Sequence, residues 1–384
     1  MLSPAEFVFW TALAALAYVY MGYPLLLTIV APFVKPRRAD IGYKLPVSFL
    51  IAAYNEETGI KKKLEQSLAL DYPPNLIEIF VLSDGSTDRT DAIVESFGDP
   101  RVHLLRIEGR RGKTHAQNEA VKKANGDILI FSDATTVYHP HALQFIASNY
   151  ADPSVGAVSG RYQYFDPAGK SPTGLGSIAF WNYENLVKSQ QSRIRTITGC
   201  CGCIYSVRRI AYSDLSPDVI SDLVQPLHVI RKGYRVVFED RALAFEETTQ
   251  STSEEFSMRV RVVTRGIRGL LSVRDLLNPW KYPWISLQLW SHKLLRWFVP
   301  FILVALLISN LALWNSPGFR WLLLMQGLFY FVAGFSTLVP IQRKWKFFGL
   351  PLYFCVLNAA AFVSVIEVLR GKKYTTWRTV RTQT

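Results

Sequence analysis

Residues Phe7 to Val34 are nearly all apolar and carry no charge. A bilayer core needs about 20 such residues in a helix, so the segment reads as a membrane span. It does not read as a signal peptide, because no Lys or Arg precedes it and the apolar run is too long. Lys35, Arg37 and Arg38 follow directly, and cations favour the cytoplasmic side. The N-terminus is therefore expected outside and the middle of the chain inside. The 384 residues are 49% hydrophobic and 19% charged, too apolar for a wholly soluble chain, and the surplus sits at the two ends. Apolar runs at about 297–315, 321–341 and 347–369 are each long enough to span. Three further spans would leave the C-terminus outside. Arg370, Lys372, Lys373, Arg378 and Arg381 make that tail basic, which favours inside, so one C-terminal segment is open to a re-entrant or interfacial placement.

The middle is different. Leu45–Ala53, Ile77–Leu82, Val102–Ile107 and Ile128–Phe131 read as strands, and Glu56–Leu70, Thr87–Phe97 and Lys113–Ala124 as helices between them. Alternation of this kind predicts an α/β domain with a mostly parallel sheet and helices on both faces. Lys61, Lys62 and Lys63 are expected to form a basic helix face. Ser253–Leu271 reads as an Arg-dense helix, and residues 272–296, with Trp280, Trp284 and Trp290, as lying on the membrane. The expected division is 1–40 (span and basic stop), 41–252 (cytoplasmic α/β domain), 253–296 (amphipathic interfacial helices), 297–371 (about three spans) and 372–384 (basic tail).

Lys and Arg outnumber Asp and Glu by 43 to 30, a net charge of +13. Much of the excess lies beside the apolar runs, so membrane orientation accounts for it better than nucleic acid does. The four Cys include Cys200, Cys201 and Cys203. Adjacent cysteines rarely bridge, and neither a disulfide scaffold nor a paired Cys-x-x-Cys zinc site fits them. Close packing of small residues is the preferred reading.

Five polar clusters stand out. Tyr54-Asn55-Glu56-Glu57 and Ser83-Asp84-Gly85-Ser86-Thr87-Asp88 end the first two strands, where an open α/β sheet presents its ligand. Each alone is ordinary turn and cap chemistry; together they point to a nucleotide pocket. Gly109-Arg110-Arg111-Gly112-Lys113 opens a helix and suits phosphate, although the P-loop spacing is absent. Ser132-Asp133-Ala134-Thr135 follows the fourth strand, and Asp133 can help hold a hard cation between phosphates. Asp218 and Asp222 stand four apart, on one face if helical, and either could act as a general base or as a helix cap.

In this order the clusters resemble an inverting family 2 glycosyltransferase with a GT-A fold, over roughly residues 46–270, and the flanking apolar runs are similar to its membrane-bound members. The resemblance includes Ser221-Asp222 followed by Lys232-Gly233-Tyr234-Arg235 at the family's distance. It implies a Rossmann-like GT-A domain flanked by transmembrane helices. Tyr54, Asn55, Glu56, Asp84, Lys113 and Asp133 would bind a nucleotide sugar, with Glu56 and Asp84 on the uracil and ribose of a UDP-sugar. Asp133 would serve Mg²⁺ or Mn²⁺. Gly199, Cys200, Cys201 and Gly202 would line the acceptor side, and Asp222 rather than Asp218 would be the catalytic base.

Three departures shape the expectation. Thr135 replaces the second Asp of Asp-x-Asp, and Ser221 stands where the family usually has Glu. The Gln-x-x-Arg-Trp positions of processive members, aligned on Arg265-Gly266, hold Arg259, Val262 and Val263. The expected activity is therefore sugar transfer to a membrane-associated, lipid-linked or glycan acceptor in envelope or exopolysaccharide synthesis. The enzyme would be a multi-pass protein of the cell's inner membrane with its catalytic domain in the cytoplasm. A processive polysaccharide synthase and a non-catalytic nucleotide-sensing scaffold are the alternatives.

Overall fold

β1 (Val47–Ala53) contains nothing that needs water, and every one of its residues is buried. A strand of this kind belongs in the middle of a sheet covered on both faces. It pairs in parallel with β2 (Ile77–Asp84) and β4 (Ile128–Asp133), and β2 pairs in parallel with β3 (Val102–Ile107). Phe49 and Ile51 enter one core, and Leu50 enters the other, as the two-residue period requires. The sheet grows beyond the predicted strands through β5 (Val137–Tyr138), β6 (Val155–Phe165), β7 (Ile204–Arg208) and β8 (Arg235–Glu247). Its order is β3-β2-β1-β4-β7-β6-β8-β5, with β7 antiparallel to both β4 and β6. Half the sheet is thus mixed rather than parallel. The computed structural model describes residues 2–35, 39–165, 174–247, 251–339 and 346–376. Arg37, Arg38, Arg378 and Arg381 of the orientation argument lie outside them.

The described α-helices, in chain order, are α1 (Pro4–Ala17), α2 (Tyr23–Val30), α3 (Ile60–Leu68), α4 (Thr90–Glu95), α5 (Lys113–Lys123), α6 (Ala142–Ser148), α7 (Gly174–Ile194), α8 (Ser221–Arg231), α9 (Thr252–Ser272), α10 (Pro283–Leu289), α11 (Leu295–Ala312), α12 (Pro317–Leu338) and α13 (Gly349–Leu369). Two start later than the sequence pattern predicts. Asn55 is left-handed at φ 54°, and the Glu56 carbonyl accepts from Gly59 and Ile60 N–H, so α3 begins only after this turn. Asp88 Oδ1 accepts the Thr90 N–H at 3.0 Å, which holds the start of α4 back to Thr90. Lys63 also departs from its expected surface face. It is 4% exposed and donates inward to Ser132 Oγ at 2.9 Å and Thr136 O at 2.6 Å.

Four helical stretches are long and apolar enough to cross a membrane: Pro4–Phe33, Pro283–Ala312, Pro317–Leu338 and Gly349–Leu369. The first contains a π-turn at Tyr18–Gly22, directly before Tyr23 and Pro24. A wider turn there accommodates the hydrogen bond that proline cannot make. A second π-turn, Trp290–Leu294, joins α10 to α11, and Tyr18 Oη meets Ser291 Oγ at 2.7 Å between the two. The Trp-rich segment expected on the membrane surface is therefore continuous with the following span from Pro283 onward.

The far end of this bundle is apolar, with Phe9 edge-on to Phe319. The near end is tied to the α/β domain, where Gln191 donates to Tyr23 Oη at 2.8 Å. α13 touches that domain at both ends. Arg259 donates to Tyr353 Oη at 2.8 Å. After the helix the chain reaches Gly112, where a Cβ would lie 2.0 Å from Thr375 O. α13 lies along α9, and Thr375 after it meets the loop at Gly112.

Candidate active site

The carboxyl ends of β1, β2 and β4 bring the predicted clusters together, because parallel strands share one direction. At the nucleotide end, Asn55 locks the two turns to each other. Its Oδ1 accepts the Thr87 N–H at 2.9 Å, and its own N–H donates to Ser86 Oγ at 3.2 Å. The Arg110 guanidinium stacks 3.7 Å over the Tyr54 ring. Its Nε and Nη2 are buried with no acceptor among the described residues. Glu56 is buried in the turn that precedes α3.

Asp84 is fully buried, and its oxygens accept from Arg111 N–H at 2.9 Å and Gly112 N–H at 2.9 and 3.1 Å. A carboxylate paired in this way organises the Gly109–Lys113 loop. Gly112 sits at φ 97° with Thr375 O against it, a conformation and a closeness that favour glycine.

Beyond this loop, the Lys113 ammonium pairs with Asp133 Oδ1 and donates to Gly202 O at 3.1 Å. Burial alone would lower the Lys113 pKa, but Asp133, with Asp222 behind it, outweighs burial and holds it above its ordinary value. Asp133 is seated from below by Lys63 through Ser132 and Thr136. Burial lowers the Lys63 ammonium to about 7.

Asp222 stands in the first turn of α8. A Cβ on Gly202 would come within 2.6 Å of its Oδ2. Lys113, Asp222 and the Gly199–Cys203 loop therefore form one constellation. Burial pushes the Asp222 carboxyl up, and Lys113, Lys188, Lys293 and Arg265 oppose that rise. Desolvation with a specific charge environment is the combination that marks acid–base groups. Asp218 is not on the helix with it. Asp218 precedes α8 and accepts from Arg268 Nε at 3.0 Å and from Ser216.

The structure adds residues that sequence reasoning missed. Lys188 of α7 is buried and donates to Cys201 Sγ at 3.1 Å. Glu246, at the end of β8, accepts from Thr135 Oγ1 at 2.7 Å and from Tyr162 Oη at 2.5 Å. No sequence motif surrounds either one. Only the crossing of distant elements brings them to the site.

Residues 48–216 match the family model described as Glycosyl transferase family 2. Over that stretch the chain resembles the family 2 glycosyltransferases. It is 26% identical over 364 residues to the poly-beta-1,6-N-acetyl-D-glucosamine synthase of Staphylococcus epidermidis, covering 86% of each chain. To the protein of the same name from Staphylococcus aureus (strain COL) it is 28% identical over 244 residues, covering 61% of this chain and 57% of that one. Among solved structures it resembles a mannosyltransferase from Pyrobaculum calidifontis, determined with GDP-Man and Mn²⁺. The TM-score is 0.72 at 22% identity, over 95% of this chain and 99% of that one. That likeness bears out the GT-A Rossmann-like fold.

Proposed function

We propose that this glycosyltransferase moves a sugar from a UDP-sugar to a hydroxyl of a membrane-associated glycan acceptor in exopolysaccharide synthesis, with inversion. The carrying observation is that Lys113 and Asp222 meet across one backbone residue, Gly202. One side of that residue suits a diphosphate and the other a general base. Asp222 takes the proton of the acceptor hydroxyl as its oxygen attacks the anomeric carbon. Lys113 offsets the charge developing on the departing nucleotide diphosphate. Arg110, Arg111 and Tyr54 bind the nucleotide, and Asp84 and Asn55 hold the loops that carry them. The Gly199–Gly202 loop forms the acceptor wall.

The residues fit a divalent cation carried mainly by the diphosphate. Among the described residues no group of three or more His, Cys, Asp or Glu could cage one. Asp133 would hold it, with Glu246 supplying across Thr135 the second carboxylate that Thr135 lacks. Mg²⁺ commonly binds through one or two carboxylates plus substrate phosphates. When bound, the ion would neutralise diphosphate charge.

The relatives' names support polysaccharide synthesis, and they favour a second reading in which sugars are added repeatedly. UDP release from a panel of UDP-sugars with the purified full-length protein tests the transfer, and sizing the product separates single from repeated addition. No turnover with any nucleotide sugar would remove both readings.

A further inference from the structure

Between Ala211 and α8 the chain runs from Tyr212 to Ile220 outside any helix or strand. Asp222 follows at once, so this segment sets where the base stands. Backbone outside regular structure needs hydrogen-bond partners from elsewhere, and α5 supplies two side chains. Asn118 Nδ2 donates to Leu215 O at 2.8 Å, and its Oδ1 accepts from Leu215 N–H at 3.2 Å and from Tyr212 Oη at 2.8 Å. Thr114 Oγ1 donates to Val219 O at 3.1 Å. The third comes from α9. Arg265 Nη2 donates to Thr114 Oγ1 at 2.9 Å, to Pro217 O at 3.2 Å and to Val219 O at 2.5 Å.

Thr114 directly follows Lys113, and Val219 shortly precedes Asp222. Arg265 therefore stands between the helix start that carries the diphosphate lysine and the helix start that carries the base. The same face of α9 is packed tightly on this segment. A Cβ on Gly269 would lie 2.4 Å from Val224 Cγ2 and 3.5 Å from Val219 Cβ, and one on Gly266 would lie 3.6 Å from Leu223 Cδ2.

A brace alone does not call for a charge here. Arg265 is 6% exposed, and the three acceptors of its Nη2 are neutral. Its Nε is buried with no acceptor among the described residues, and Arg261 adds a like charge nearby. A buried cation without an anionic partner is costly. The carboxylates that feel it are Asp222 and Asp218. Asp218 is paired with Arg268, whereas Asp222 has no ion pair among the described residues. Asp222 also faces Lys113 of α5, Lys188 of α7, Lys293 of the π-turn before α11, the Cys200 thiol and Tyr205 of β7. Lys113 is paired with Asp133, and Lys188 donates to Cys201 Sγ and lies 5.4 Å from the Trp181 ring centre.

We propose that Arg265 is a positioning residue for the transfer step: through Thr114 and Val219 it locks the start of α5 to the start of α8, so that Lys113 and Asp222 keep one fixed separation. This rests on the Asp222 reading above and deepens it. The charge of Arg265 also favours the ionised base, against the burial that raises its pKa.

The test compares Arg265→Met, Arg265→Lys and Thr114→Val in the purified full-length protein. Turnover is measured with the UDP-sugar that the parent uses, and UDP affinity is the control for folding. In Arg265→Met, kcat is expected to fall about 10²-fold, the cost of a shift of about 1 Å at a reacting group, while UDP binds within about twofold of the parent. The acid limb of kcat/KM is expected to move to higher pH, because a cation that opposes burial at Asp222 is gone. Lysine keeps the charge but lacks the planar fork, so in Arg265→Lys kcat falls and the limb stays. Thr114→Val removes only the shared hydroxyl and is expected to lower kcat about threefold or more. It decides the matter if Arg265→Met fails to bind UDP, and a parent-like kcat there then overturns the proposal. Parent-like kcat and acid limb in an Arg265→Met that binds UDP also overturn it. So does an equal fall in kcat and UDP affinity with the limb unmoved, the mark of a brace for the fold alone. Failure of the underlying reading shows separately, as undiminished UDP release in Asp222→Asn.

Discussion

Replacing Asp222 with Asn keeps the size of the side chain and removes its basicity. The carboxylate stands in the first turn of α8, beside Gly202, and makes no ion pair among the described residues, so the fold is expected to survive. Loss of a positioned base costs about 10²–10⁴-fold in rate, or roughly 2.7–5.4 kcal/mol of transition-state stabilisation. Asp218→Asn is the internal control. It breaks a partly exposed pair with Arg268, worth at most about 1 kcal/mol of stability, and is expected to leave turnover within about twofold of the parent. A third variant acts through geometry alone. Gly202→Ala puts a methyl group 2.6 Å from Asp222 Oδ2, too close to leave the carboxylate in place, and a shift of about 1 Å at a reacting group costs on the order of 10²-fold. The assay is UDP release and labelled-sugar transfer by the purified full-length protein, with UDP affinity measured in parallel. The pH profile adds a sign. The base works ionised, so kcat/KM rises with pH through its pKa. Burial raises that pKa, placing the acid limb above that of an ordinary aspartate, and the limb should vanish in Asp222→Asn. An active Asp222→Asn beside a dead Asp218→Asn would refute the assignment.

Asp84→Ala should weaken UDP and UDP-sugar equally, by about tenfold or more, because it frees the Arg111 and Gly112 N–H groups that shape the phosphate loop; calorimetric titration of both ligands checks this. Gly112→Ala should weaken UDP binding and expose the C-terminal segment to carboxypeptidase, since the new methyl group collides with Thr375 O; unchanged digestion would argue against that contact. Lys63 is lowered to about 7 by burial, whereas an unfolded lysine keeps its proton to about 10.4. The unfolded chain therefore binds the extra proton between those values, and stability should rise with pH across that window. The rise should be absent in Lys63→Met, as read by thermal midpoints. Activity should fall with EDTA and return with Mg²⁺ or Mn²⁺, and Glu246→Gln should weaken metal binding measured in the presence of UDP. Full activity after exhaustive chelation would remove the metal.

The local elements were legible wherever a short-range signal existed. β3 and α5 follow the sequence pattern to within a residue, because an alternating strand and a glycine-led helix announce themselves locally. Lys63 was misplaced because three successive lysines look alike in sequence, and only the turn at Asn55 decides which of them faces inward. The second half of the sheet was missed for a related reason. β6 and β8 pair across intervening helices, and no local period reveals such a partner. The C-terminal topology was left open because length and apolarity say that a helix can span, not that it does.

By itself the sequence determined the apolar ends, the α/β middle and the ordered motifs by which this chain resembles the family 2 glycosyltransferases. These depend on composition, on periods of two and 3.6 residues and on fixed spacings, all of which are written along the chain. Tertiary structure alone decided which carboxylate of the Asp218 and Asp222 pair faces the site. It also decided that Asp84 holds a loop, that Lys188, Lys293 and Glu246 join the constellation, and that α13 lies along α9. Each of those outcomes is a meeting of residues far apart in sequence. Packing, burial and charge fix such meetings only once the sheet and the bundle have closed around them.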